Sequence, residues 1–197
     1  SEPGILYNVP IAGPNSAAVQ LTDQVEGSTV SATTMKLTPD GSHAVFIGSL
    51  FGTFNAALYS VPVNGPPSAT TRISDVAGVN NLIDVDFEIS SDSLRLVFRA
   101  DFDDSANQFS LYSSPVTGPS TGMVQLSTVL PPSAPVGIGQ FTISPDSSRV
   151  VYIGTQTVAD EIELHSVPIA GPSAAGVKLN KALPPDGGGV LRARISA

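Results

Sequence analysis

The chain has 197 residues, 41% of them apolar and 13% charged, with 18 Gly, 17 Pro, no Cys and no Trp. That length suits one domain with a real core. The composition is neither disordered nor collagen-like, and no apolar run approaches the roughly 18 residues of a membrane span. The net charge of −8 repels phosphate backbones and anionic lipid surfaces, which argues against nucleic-acid and membrane partners. The absence of Cys removes disulfides, thiolate zinc sites and thiol nucleophiles.

In chain order, two short strands come first, at about 5–11 and 17–22. Three longer units follow, at about 31–74, 84–127 and 138–180, and a last strand at about 189–196. Three markers tie these segments into one repeat. Leu6, Leu58, Leu111 and Leu164 open equivalent strands at offsets of 52, 53 and 53, and a Gly-Pro pair follows each, at Gly13-Pro14, Gly65-Pro66, Gly118-Pro119 and Gly171-Pro172. Thr38-Pro39-Asp40-Gly41, Ser90-Ser91-Asp92-Ser93 and Ser144-Pro145-Asp146-Ser147 keep the same period, as do the short segments ending in Leu21-Thr22, Ile73-Ser74, Leu126-Ser127 and Leu179-Asn180.

Within each unit the apolar pattern has period two and never the spacing of a helix. Val85, Phe87 and Ile89 alternate with Asp84, Asp86 and Glu88, and Leu94–Phe98, Phe109–Ser113 and Met123–Ser127 read as the next three strands. Four antiparallel strands per period of about 50 residues is the pattern of a β-propeller blade, which needs neighbours to bury both its faces. The expected fold is therefore all-β, with three full blades and partial blades at 5–22 and 189–196 in one domain over 1–197. A strand B is missing between the strand A at 189–196 and the strand C at 5–11. The open edges this leaves favour a fragment of a larger ring or an associating subunit over a self-closed monomer.

The run Phe141-Thr142-Ile143-Ser144-Pro145-Asp146-Ser147-Ser148-Arg149-Val150-Val151-Tyr152 resembles the repeat of the TolB-like, or PD40 (WD40-like), propellers, and Leu58-Tyr59-Ser60-Val61-Pro62 resembles a later strand of it. The resemblance implies the propeller fold. It does not specify a function, because the repeat occurs in translocation proteins, in non-catalytic domains of peptidases and in surface proteins. In its Pro-Asp turn the Asp is expected to bond its own backbone two residues on. Arg95 and Arg149, three residues after Asp92 and Asp146, are expected to pair with those carboxylates.

The chemical constellations are sparse. His43 takes the slot of Arg95 and Arg149, and His165 that of Tyr7, Tyr59 and Tyr112, so each is explained by the repeat. A nucleophile elbow needs a strand-to-helix turn, which an all-β chain lacks. Asp84, Asp86 and Glu88 on one innermost strand, with Lys36, Arg192 and Arg194 at related positions, read as charge complementarity between blades or with channel water, the alternative being a polar ligand or ion site at the channel mouth. Asp101, Asp103, Ser105 and Asn107 carry oxygen ligands at the alternating spacing of a calcium loop. The resemblance implies a similar loop here, but Ala106 replaces its Gly and Tyr112 its closing acid.

The function expected is a non-enzymatic propeller scaffold that presents loops to protein partners, with calcium as the one cofactor expectation. The alternatives are a structural subunit that self-assembles through open edges, and the non-catalytic propeller of a peptidase or glycan-active protein. A Ser, Thr, Gly and Pro-rich chain with only three Lys, starting at Ser1, fits processed extracellular or periplasmic material.

Overall fold

The computed structural model describes residues 5–22, 29–49, 56–74, 82–102, 109–128, 137–155, 161–181 and 189–190. Fourteen strands and four single 3₁₀ turns make up the regular structure of these residues. The strands are β1 (Tyr7–Asn8), β2 (Val19–Gln20), β3 (Thr29–Leu37), β4 (His43–Ser49), β5 (Ala57–Pro62), β6 (Thr71–Arg72) and β7 (Leu82–Ile89). They continue with β8 (Arg95–Asp101), β9 (Ser110–Pro115), β10 (Val124–Gln125), β11 (Ile138–Ile143), β12 (Arg149–Gly154), β13 (Glu163–Pro168) and β14 (Val177–Lys178).

Each sheet is an antiparallel meander. β1-β2 form a half blade, and β3 to β6, β7 to β10 and β11 to β14 form three blades of four. Every blade carries its aromatic pair across the second and third strands. Phe46 stacks on Tyr59, Phe98 on Tyr112, and Tyr152 on His165, with ring centroids 5.7, 5.8 and 5.3 Å apart.

The core lies between blades and not within them. One cluster joins Leu6 and Leu21 of the half blade to Phe46, Tyr59 and Val61 of the first blade. A second joins Val45, Ile47, Leu58 and Ile73 to Phe87, Leu96, Phe98 and Val116 of the second blade. A third joins Val97, Leu111 and Leu126 to Ile138, Val150, Tyr152 and Val167 of the third. Alternate residues of one strand therefore face opposite neighbours, as a two-residue side-chain period requires. In each blade the aromatic pair faces the preceding blade.

The outermost strand is too short to hold itself by ladder bonds alone. A side chain at its end closes it. Thr22, Ser74, Ser127 and Asn180 accept from the amides of Leu6, Leu58, Leu111 and Leu164 at 3.0, 2.9, 3.1 and 2.8 Å. This explains why that slot is Thr, Ser, Ser and Asn.

The turn between the first two strands has a fixed chemistry. Thr38, Ser90 and Ser144 each donate a hydroxyl at 2.6 Å to the Asp two residues on. Those carboxylates accept from the amides of Ser42, Leu94 and Ser148, as the sequence implies. Arg95 and Arg149 do not pair with Asp92 and Asp146 as expected. They reach across the sheet instead, and their Nε atoms donate to Ser113 and Ser166 at 2.8 and 2.7 Å. Each Asp is already served by the turn's own donors.

Ser93 and Ser147 take the left-handed backbone, at φ 64° and 60°, where the first blade has Gly41 at 69°. This conformation costs a non-Gly residue about 1–2 kcal/mol. Here the hydroxyl stitches blades together. Asp40 N donates to Ser93 Oγ at 3.0 Å and Asp92 N to Ser147 Oγ at 3.2 Å, with Ser91 Oγ 2.7 Å from Ser147 Oγ. Ser147→Ala keeps the strain and loses the bond, so it should destabilise by about 1–2 kcal/mol. Ser147→Gly also loses the bond but relieves the strain, and should cost less. Urea midpoints for the two variants test this; a Gly variant weaker than the Ala variant would count against the assignment.

Candidate functional site

The innermost strand of every blade is bulged. β3 sets residues 31–34 opposite Ile47, β7 sets 84–86 opposite Arg99, and β11 sets 139–140 opposite Ile153. The alternation read for Asp84 to Ile89 is therefore broken between Ile83 and Phe87. Extra residues in the first strand have no partners in the second, so the regular two-residue alternation is interrupted there.

The slot opposite the bulge is Ile in the first and third blades and Arg99 in the second. Arg99 faces the third blade and donates from Nη1 to the carbonyls of Ile138 at 3.0 Å and Gly139 at 2.7 Å, groups that the β11 bulge turns towards it. Beside this contact lies a cleft of about 280 Å³ between the second and third blades. It is walled by Asp86 and Arg99 on one side and by Gln140, Phe141, Thr142 and Tyr152 on the other. Burial pushes the Tyr152 phenol up to about 12.

Asp86 and Glu88 of β7 act between blades. Asp86 lies 3.5 Å from Lys36 of the first blade, and Lys36 also donates to the Phe87 carbonyl and sits 4.8 Å from that ring's centroid. Glu88 accepts from the Ile143 amide of the third blade at 2.8 Å. Burial raises its carboxyl above the usual range against the pull of that amide. Charge complementarity between blades thus holds for Lys36 and Asp86. Arg192 and Arg194 lie outside the described residues.

Of the calcium-loop residues, Asp101 ends β8 and is buried, whereas Asp103, Ser105 and Asn107 lie outside the described residues. A Gly-x-Ser-x-Gly match at Gly118-Pro119-Ser120-Thr121-Gly122 falls on a 3₁₀ turn between β9 and β10. A strand follows it, and no helix does, so it is not a nucleophile elbow.

The third blade holds a charged trio where the second blade has a neutral pair, Gln125 Nε2 donating to Ser110 Oγ at 3.3 Å. Glu163 is fully buried, bonded to Lys178 Nζ of the outer strand and 3.3 Å from His165 Nε2. Its slot is Ala57 and Ser110 in the other blades. Burial pushes His165 below its ordinary 6.5, although the Glu163 carboxylate opposes this. The fold therefore prefers neutral imidazole. That contribution is complete above pH 6.5 and is lost as pH falls below it. The turn carboxyls act lower on the scale. The Thr38 and Ser144 hydroxyls and the following amides hold Asp40 and Asp146 down to about 2 from 3.8, so their contribution fades between those values. The thermal midpoint should fall from pH 7.5 to 5.5, and again from pH 4 to 2. His165→Tyr should flatten the first step alone, and an unchanged first step in that variant would contradict the assignment.

Sequence reasoning missed Arg99. The signal was present, because aligning the repeats puts one cation in a slot that is otherwise Ile.

No family model and no curated protein matches the sequence. Among solved structures the chain is similar to a candidate TolB from Agrobacterium tumefaciens at 16% identity and a TM-score of 0.54, over 92% of this chain and 56% of that one. It is also similar to prolyl oligopeptidase B from Galerina marginata at 12% identity and 0.51, over 78% of this chain and 23% of that one. The chain thus spans little more than half the length of the first and about a quarter of the second. At such identities the likeness carries the fold alone, and with the sheet order above it makes this polypeptide a run of β-propeller blades.

Proposed function

We propose that this chain is a non-enzymatic propeller scaffold of the cell exterior or periplasm, and that a protein partner seats on the cleft between the second and third blades. The observation that supports this is Arg99, a charge in a slot that otherwise holds Ile, bordering a cleft with polar and aromatic walls. Rigid strands supply those walls, and nearby loops differ between otherwise similar blades, an arrangement suited to recognition. The test is affinity capture from an extracellular or periplasmic extract with wild type and with Gln140→Trp, which fills the cleft from an exposed position. Wild type should retain a partner that the variant loses. Equal capture by both, or detected turnover with no partner retained, overturns the reading. Calcium at the loop beginning with Asp101 belongs to the same proposal. Calorimetry should show heat for wild type that Asp101→Ala with Asp103→Ala abolishes, and no heat for wild type removes calcium from the account.

A further inference from the structure

One row of side chains crosses the face that the third blade turns to the second. Phe141, Tyr152, His165 and Lys178 are cross-strand partners on β11, β12, β13 and β14, so they share that face. The row begins in the cleft, which Phe141 and Tyr152 line and His165 does not. His165 lies one ring back, stacked on Tyr152 with centroids 5.3 Å apart and 16° between planes. It is buried, and beyond it the Glu163 carboxylate bonds Lys178 at the outer end of the row.

The matching rows carry no imidazole. They run Met35, Phe46, Tyr59, Arg72 in the first blade and Phe87, Phe98, Tyr112, Gln125 in the second. Imidazole changes charge between about pH 5 and 8, as no other unperturbed side chain does. The row that opens on the cleft is therefore the one with a proton-sensitive ring in its third place. The other ionisable groups of this seam are Asp86 and Glu88 of β7 and Arg95 and Arg99 of β8. Asp86 and Arg99 wall the cleft, Glu88 holds the Ile143 amide and Arg95 holds Ser113. β9 and β10 bring the apolar Leu111, Val124 and Leu126. Glu163 and Lys178 bear on the imidazole itself, the first favouring its charge and the second opposing it.

We propose that His165 is a proton sensor for the cleft: an occupied cleft favours the neutral imidazole, and protonating His165 weakens what the cleft holds. This rests on the reading that a partner seats there. The physical link is water. An occupant that drains the cleft removes hydration from behind the Tyr152 ring and makes the charged imidazole costlier. By linkage, proton and occupant then oppose each other to the same extent. Affinity is full above the His165 titration and falls as pH drops through it.

The first measurement needs no partner. Gln140→Trp fills the cleft from within the chain, and NMR follows the imidazole titrations of His165 and His43 in wild type and variant. The His165 midpoint should be lower in the variant by about half a unit, equivalent to about threefold weaker binding to the charged form. His43 opens β4 and is not part of the cleft wall, so its midpoint should not move. Gln140→Phe serves should Gln140→Trp fail to fold. The second measurement is partner capture at pH 7.5 and 5.5. Wild type should weaken towards that threefold limit at pH 5.5, and His165→Tyr should capture alike at both. Equal His165 midpoints with the cleft open and filled would overturn the proposal. So would wild-type capture that does not weaken, or capture that weakens as much in His165→Tyr. A lowered midpoint with no partner captured at either pH would uphold the coupling and overturn only the partner reading.

Discussion

Gly118→Ala should be the most damaging glycine substitution in the Gly-Pro turns, lowering stability by about 3 kcal/mol. Two effects add. Gly118 sits at φ +67°, and a Cβ there would stand 2.6 Å from Thr71 Cγ2 of the preceding blade. The left-handed backbone accounts for about 1–2 kcal/mol, and pushing a packed strand aside for about 1–3 more. Gly13 and Gly171 provide the control. Both are left-handed, at +69° and +72°, but a Cβ on Gly13 meets nothing within 4 Å and one on Gly171 finds Val124 at an ordinary 3.6 Å. Ala at either position should cost only the backbone share, about 1 kcal/mol. Urea denaturation of the three variants reads the order directly. Equal losses at all three positions would show that the turn does not dock the blade behind it.

Lys178→Met should lower stability by about 2–4 kcal/mol at pH 8, because it leaves Glu163 buried with only a neutral imidazole beside it. Glu163 has no exposed surface, whereas Lys178 keeps a third of its side chain in water, so loss of the cation is the harsher single change. Protonating His165 restores neutrality of the pair, and the deficit relative to wild type should therefore shrink as pH falls from 8 to 6. The sibling blades show that the trio is dispensable as a set. Copying the second blade into the third, as Glu163→Ser, His165→Tyr and Lys178→Gln together, should be neutral or stabilising, since buried charges give up hydration that their mutual attraction seldom exceeds. A triple variant as weak as Lys178→Met would mean that the trio stabilises the seam in its own right.

The blade order and the inward residues were readable because each blade repeats the same slots, so Leu58, Leu111 and Leu164 could be aligned before any coordinate was known. The turn acids were readable for the same reason, since an Asp two residues before an amide has a local purpose. The bulges were not. Asp84 to Ile89 alternates without a flaw, and only the second strand, with one residue opposite three, reveals the insertion. Pairing Arg95 with Asp92 failed for a related reason. Proximity in sequence suggested a bond, yet the carboxylate was already held by Ser90 and the Leu94 amide. The cleft was invisible because its two walls come from different blades, and no pattern within one repeat encodes what its neighbour brings.

The clusters between sheets have a consequence for how such a chain tolerates rearrangement. Since a sheet owns no interior of its own, removing one complete period, from a point in β5 to the matching point in β9, would rejoin two surfaces that already fit. Cutting half a period would instead place inner-strand slots where the neighbouring blade presents outer-strand slots, a pairing that none of the three seams uses. Gains and losses of sequence in this architecture are therefore expected in whole modules, and a library of internal deletions should yield folded products only at that spacing.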